Sequence, residues 1–280
     1  MSFPEKIDAG TLAAFQKKVG SKLRVFCIEE TQSTNSDAAK MLASGTPPHD
    51  FAICANSQTA GRGRIPGRRW ESRAGNILLS LAFRPEKLSP EKLANFTLWL
   101  GVAVARMLKT NFGVPAQVKW PNDIFCRGKK MAGMLTEAHM TPERVLGIIF
   151  GIGLNVNLRE NELPHELRNS TTSLSRELGG NALNVNAVCA ELLLALETAY
   201  AEFLSGTHRK TLSEIWKEYD CLFGQRVIAT FSNEKIRGIA DGIDGQGRIK
   251  ILLDNGTTHA FSAGDISLSA RPPKEQKMLD

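Results

Sequence analysis

The segment "SPEKLANFTLWLGVAVARMLKTNFG", residues 89–113, limits the possible folds more than any other. It reads as a helix whose apolar residues run nearly all the way round, so it has to be buried. Ser89 stands as its cap, Pro90 at its first position and Gly113 as its stop. Just before it, "NILLSLAFRP" is a near-continuous apolar strand closed by Pro85. Both need a sizeable core. With 280 residues, 42% of them hydrophobic and 23% charged, the chain can build one. Its length suggests one large domain plus a small one.

Shorter elements surround this pair. Residues 11–19 read as a short helix, and "LRVFCIEE" and "FAICANSQ" as strands. In "STNSDAAKMLASG", Thr34 and Asp37 match a capping box and Gly45 ends the helix. "AQVKW", the loop "PND" and "IFCRGKK" follow, with a turn at Arg127-Gly128. Two strand candidates, "MAGMLTEAHM" and "RVLGIIFGIGLNVN", join near Thr141-Pro142, and helices are expected at about 186–204 and 208–219.

After Asp220 the pattern changes to short strands, "QRVIATF", "KIRGIAD", "GRIKILL" and "THAF", separated by "SNE", "GIDGQ" and the hairpin turn Asp254-Asn255-Gly256. This is the pattern of a small β-barrel. The expected division is 1–220 and 221–280, with the boundary between Tyr219 and Leu222.

Several classes drop out. No apolar run approaches a membrane span, and "MSFPEKIDAG" has no secretion signal, so no membrane partner is expected. Five scattered cysteines without a CxxC pair suit reduced thiols in a cytoplasm. There is no GxxxxGK[ST], GxGxxG or GxSxG, and the five histidines have no metal spacing. The net charge is +6, but residues 62–73, with five Arg and one Glu, supply +4 of it. A nucleic-acid surface spreads its charge over a face or stripe. One cluster suits one compact anion better.

Polar clusters stand at the strand ends, each open to an ordinary explanation. Ser33-Thr34-Asn35 could be only an N-cap, although a cap needs one hydroxyl and a helix N-terminus also favours a partial negative charge. Lys119, Asn122 and Asp123 in "VKWPNDIF" could be only a polar turn. Lys129 and Lys130 could be solvated hairpin lysines. Gly151 and Gly153 in "GIGLNVN" fit either a β-bulge or a backbone approached closely by a ligand.

The order of these motifs is distinctive: STN, Q-x-A-GRGR…W, KWPND, KK-x-AG, G-x-G-x-N. It resembles the catalytic domain of biotin protein ligases, the biotin–[acetyl-CoA-carboxylase] ligases, by motif from Phe26 to Asn157. "GIDGQGRIKILLDNGTTHAFSAGDISL" resembles that family's small SH3-like barrel. The implied fold is α+β: a mixed-sheet biotin/lipoate ligase-like domain with helices, plus the barrel. The implied reaction joins biotin to ATP as biotinyl-5′-AMP, then passes biotin to a lysine of a biotin carboxyl carrier protein.

The resemblance assigns catalysis to Lys130 and Arg64. For biotin it implies Ser33, Thr34, Asn35, Gln58, Gly61, Arg62, Lys130 and Gly133. For ATP and the adenylate it implies Arg62, Arg64, Arg68, Trp70, Lys119, Asn122, Asp123 and Asn155. Magnesium is expected with ATP, its protein ligands unassigned. The assignment makes chemical sense. A carboxylate attacking an α-phosphate needs fixed positive charge, an apolar ring with a urea head wants an apolar pocket with a few placed polar groups, and a reactive anhydride wants a cover that excludes water.

Only 32 residues precede Ser33, whereas a separate DNA-binding domain needs about 50 or more, so operator DNA is not an expected partner. The chain departs from the family pattern after GRGR. Two residues, Ile65 and Pro66, stand before Gly67-Arg68 where one is usual, which places the extra residue in the cover loop and makes Arg68 a weaker carry-over than Arg62 or Arg64. Ser269 stands where some members have arginine. The competing expectations are a lipoate or octanoyl ligase of related fold and a nucleic-acid binder using the Arg/Gly loop.

Overall fold

A computed structural model of the chain describes residues 6–71, 73–231, 234–262 and 264–268. Ser269 and most of the "SNE" turn lie outside them. The core is a seven-stranded sheet in the order β1-β2-β3-β7-β6-β5-β4. Its strands are β1 (Arg24–Thr31), β2 (Phe51–Gln58), β3 (Ile77–Phe83), β4 (Ala116–Lys119), β5 (Asp123–Cys126), β6 (Lys129–Met140) and β7 (Val145–Leu154). β1 and β2 pair in parallel and the other pairs are antiparallel.

β3 is buried at all seven positions. Its apolar run is explained by layers on both faces. On one face lies α2 (Thr34–Ser44), packing Ala38 and Leu42 on Phe51, Ile53, Ala82 and Ile149. On the other lies the larger core, built with α1 (Ala9–Val19), α3 (Phe96–Phe112), α5 (Val185–Ser205) and α6 (His208–Tyr219). α4 (Leu174–Glu177) is a single short turn.

α3 is the buried helix expected from its composition, but it starts at Phe96 rather than at Pro90. Ser89 and Pro90 open a separate 3-10 turn that ends at Leu93, and neither this turn nor α3 has a side-chain cap bond. Asn95, at φ 73, breaks the chain between them. Its Nδ2 donates to Gly245 O at 3.0 Å, so the break ties this corner to the C-terminal sheet. The Thr34–Asp37 capping box is not formed either. Ser33 is the N-cap, the Thr34 hydroxyl bonds Gln58, and the Asp37 carboxylate accepts from the Thr31 hydroxyl.

The C-terminal sheet is antiparallel, in the order β11-β10-β9-β8-β12. Its strands are β8 (Arg226–Phe231), β9 (Glu234–Ile243), β10 (Ile249–Leu252), β11 (Thr258–Phe261) and β12 (Asp265–Leu268). The four strands read from the sequence are present; β12 adds a fifth. Trp120 Nε1 donates to Gly247 O at 3.0 Å, joining the KWPND turn to this sheet.

Candidate active site

A pocket opens over the ends of β2, β3, β7, β6 and β5, beside the N-terminus of α2. Most residues picked from the sequence line it: Ser33, Thr34, Asn35, Gln58, Arg62, Arg64, Arg68, Trp70, Lys119, Asn122, Asp123, Lys130 and Gly133. Gly61 and Asn155 do not. Gly61 sits behind Trp70, where a Cβ would lie 2.5 Å from Trp70 O. Asn155 is buried past the end of β7, with its Nδ2 on Thr172 O at 3.1 Å.

One end of the pocket is polar and neutral. Gln58 Oε1 accepts from Thr34 N at 2.7 Å and Thr34 Oγ1 at 2.9 Å. Ser33 makes no cap bond. Behind them Ser80, fully buried at the centre of β3, has its Oγ 2.7 Å from Thr34 Oγ1 and 2.6 Å from Asn35 Oδ1. Asn35 Nδ2 donates to Glu137 Oε2 at 2.7 Å, and Arg62 pairs with Glu137 at 3.2 Å. The network runs from the helix end to the arginine segment.

The middle is flat and apolar, between Leu79, Met134, Ile152 and the Trp70 indole. Gly133 and Gly153, paired across β6 and β7, form a bare bed on which Trp70 lies. Gly151 is bare for another reason: a Cβ there would sit 2.1 Å from Asn35 Oδ1. These glycines therefore make room for the chain's own Asn35 and Trp70 side chains. Trp70 Nε1 is buried without a hydrogen-bond partner among the described residues.

The other end is cationic. Arg62, Arg64, Arg68, Arg69, Lys119 and Lys130 face two carboxylates, Asp123 and Asp265. Lys130 Nζ lies 2.7 Å from Asp123 Oδ1 and 5.7 Å from the Trp70 ring centroid. A register shift between β5 and β6 sets Lys130 opposite Phe125 and leaves Asp123 opposite Gly133, which brings the two charges to one corner. Asn122 is held in its turn by Nδ2 to Met134 O at 2.7 Å, and its Oδ1 accepts from Arg64 Nε at 3.2 Å. Lys119 Nζ lies 5.1 Å from the Phe125 ring centroid. The nearby thiols make poor nucleophiles, since burial pushes Cys126 and Cys221 each up to about 12.

Comparison with known proteins identifies the family. The profile of the biotin/lipoate A/B protein ligase family matches residues 27–155, and that of the biotin protein ligase C-terminal domain matches 222–269. The bifunctional ligase/repressor BirA of Bacillus subtilis is 34% identical over 265 residues, spanning 92% of this chain and 80% of its own length. The chain belongs to the biotin protein ligase family.

Within that family, the biotin–[acetyl-CoA-carboxylase] ligase of Mycobacterium tuberculosis is 32% identical over 244 residues, covering 85% of this chain and 86% of its own. The Aquifex aeolicus biotin protein ligase solved with biotin and ATP superposes with a TM-score of 0.73 at 27% identity, covering 89% of this chain and 99% of that one. The α+β fold with its small C-terminal β domain is that of the biotin protein ligases. Not read from the sequence were Asp265 and the apolar wall of Leu79, Met134 and Ile152, which line the pocket, and Ser80 and Glu137, which bond its lining residues. Ser80 looked like one more residue of an apolar strand. Glu137 gave no signal either: seven residues from Lys130 on a regular strand predicts the opposite face.

Proposed function

We propose that this chain activates biotin with ATP as biotinyl-5′-AMP, releasing pyrophosphate, and transfers the biotinyl group to a lysine of a biotin carboxyl carrier protein of acetyl-CoA carboxylase or a related carboxylase. The observation that carries the proposal is the polarity of the pocket. A neutral hydrogen-bonding end, an apolar bed and a cationic end follow one another in the order of a urea, a ring with its aliphatic tail, and a carboxylate meeting phosphate.

In this reading Ser33, Thr34, Asn35 and Gln58, at the positive end of the α2 dipole, hold the ureido group. Trp70, Leu79, Met134 and Ile152 cover the ring, and Trp70 Nε1 offers an unpartnered donor. Lys130 draws the carboxylate toward the α-phosphate, with Asp123 fixing its ammonium. Arg62, Arg64, Arg68 and Lys119 offset phosphate charge as the bond forms. Asn122 holds Arg64 in place, and Gly61, Gly133 and Asn155 shape the backbone. No side chain is needed as a nucleophile. The acceptor lysine attacks the acyl carbon, the acyl–phosphate C–O bond breaks and AMP leaves.

Magnesium belongs to the proposal as a companion of the triphosphate, where it would screen phosphate charge. The described residues hold no group of three or more His, Cys, Asp or Glu able to bind a metal, and Asp123 is already paired with Lys130. Phosphate oxygens would supply most of its ligands, with Asp123 the pocket carboxylate nearest to the task.

We place the domain boundary at 220/221, supported by the return of the chain to the sheet there, Cys221 N to Val118 O at 3.1 Å. A cytoplasmic location is supported by free cysteines throughout, and no helix among the described residues is long and apolar enough to cross a membrane. The arginines that suggested nucleic acid converge on one pocket and do not spread along a face. This disfavours a nucleic-acid arm, and no operator binding is expected in a gel shift at physiological salt. The deciding test supplies [¹⁴C]biotin or lipoate with ATP, magnesium and a carrier domain. Biotin-dependent pyrophosphate release and carrier labelling are expected; labelling with lipoate alone would replace this proposal with the lipoate-ligase alternative.

A further inference from the structure

The arginine segment is a built hairpin. Arg62 and Arg69 bridge in antiparallel, Gly63 N donates to Arg68 O at 2.9 Å, and Trp70 N donates to Gly61 O at 3.1 Å. Its turn is Ile65-Pro66-Gly67-Arg68, closed by Arg68 N to Ile65 O at 3.1 Å, with Gly67 at φ 84. Proline second and a left-handed glycine third is the pattern of a type II turn. The additional residue thus completes a defined turn that ends at Arg68.

Two side chains run from this hairpin to the far end of the chain. Arg64 Nη2 donates to Gly264 O at 2.6 Å, and Arg68 Nη2 lies 3.0 Å from Asp265 Oδ2. The receiving strand is well anchored. Asp265 pairs with Thr230 on β8. At Gly264, with φ +152, a Cβ would lie 2.2 Å from Phe231 Cε1, and the Phe231 ring stacks on Phe261 at 3.8 Å. Glycine alone lets the backbone pass so close to that ring pair.

We propose that Asp265 is a positioning residue of the ligase reaction: from β12 it holds the Arg68 end of the hairpin, so that Arg64 stays at the pocket mouth and the acyl-adenylate is shielded from water. The proposal rests on the ligase function argued above. Asp265 acts through Arg68. Its removal leaves the Pro-Gly turn and the Arg64–Gly264 bond in place, so the expected effect is partial and falls on retention of the intermediate. Escape there is hydrolysis: water attacks the acyl carbon, the acyl–phosphate C–O bond breaks, and biotin carboxylate and AMP are released.

The test uses the whole chain as Asp265→Ala and Asp265→Glu, with biotin, labelled ATP and magnesium but no carrier. Pre-formed adenylate should be lost about two- to fivefold faster in the alanine variant, the size expected of an exposed ion pair, and at nearly the original rate in the glutamate variant. Without ligands, amide exchange at Gly63 and Trp70 should quicken in the alanine variant while Tm stays the same. Unchanged adenylate loss with unchanged exchange overturns the proposal. So does a parallel fall in Tm, which would make Asp265 a general stabiliser. If the unsubstituted chain forms no biotinyl-adenylate, the ligase function fails first and the proposal falls with it. If it forms one and the variants behave alike, only the positioning role is lost.

Discussion

The indole of Trp70 lies where a side chain on residue 153 would be: a Cβ on Gly153 would sit 2.2 Å from Trp70 Cε2 and 2.5 Å from Nε1. A Cβ on Gly133, its neighbour across β6 and β7, would make a looser but still tight contact, 3.1 Å from Trp70 Cζ3. The pocket wall is therefore a tryptophan laid on bare backbone. Gly153→Ala should push the indole off this bed at a cost of about 1–3 kcal/mol, typical of overpacking. Biotin affinity measured by calorimetry should fall about five- to 150-fold on that scale. Trp99, Trp120 and Trp216 are all buried, so a red shift in tryptophan emission would report Trp70 directly. Unchanged affinity and emission would mean that Trp70 is not part of the biotin wall.

Lys130 and Asp123 should behave as an unequal pair. Lys130→Gln removes the cation that faces both reacting anions and should lower biotin-dependent pyrophosphate exchange by about 100-fold or more, the range found when one electrostatic stabiliser is lost. Lys130→Arg should not restore it. The ammonium is a compact point charge held 2.7 Å from Asp123 Oδ1, and a planar guanidinium fork does not place its charge at that point. Exchange within threefold of the unsubstituted rate in Lys130→Gln would remove Lys130 from the chemistry.

Both residues were picked through the order of the motifs, but their pairing was not read, although β5 and β6 form one short hairpin that brings KWPND and GKK together. The layers were legible because apolar runs at 77–83 and 96–112 declare burial on their own. What stayed hidden depends on long-range packing. The start of α3 moved to Phe96 because Asn95 bonds Gly245, 150 residues away. The capping box failed because Gln58 on another strand takes the Thr34 hydroxyl and amide. Asp265 could not be linked to Arg68 without knowing that β12 closes the second sheet beside the pocket.

Ser80 tests the hidden part of the site. Its hydroxyl is fully buried between Thr34 and Asn35. Ser80→Ala leaves two polar groups short of a partner and should cost about 1–3 kcal/mol of stability, seen as a lower midpoint in urea. Because Thr34 keeps Gln58, biotin should still bind, several-fold more weakly, while KM for ATP stays within twofold. An equal loss for both substrates would show that Ser80 supports the fold and not the biotin end.

Asp220 carries a pH dependence of stability. It links α6 to β8 where the chain passes from one sheet to the other, and it is buried, accepting from Trp216 Nε1 at 2.8 Å and Leu222 N at 2.9 Å. Burial raises its carboxyl from 3.8 to about 6, and the two hydrogen bonds only partly counter this. With the folded value above the unfolded one, the native state holds the proton more tightly. Its ionisation therefore costs nothing below pH 3.8, costs progressively more as pH rises toward about 6, and reaches its full cost above that. A shift of this size corresponds to about 2–3 kcal/mol. Asp220→Asn removes the titration, so the stability difference between the unsubstituted chain and the variant should drift against the unsubstituted chain from pH 4.5 to 6.5 and then level off. Urea unfolding at several pH values across that range measures it. A difference that stays flat, or moves the other way, would mean that Asp220 is ionised at no cost in the folded chain.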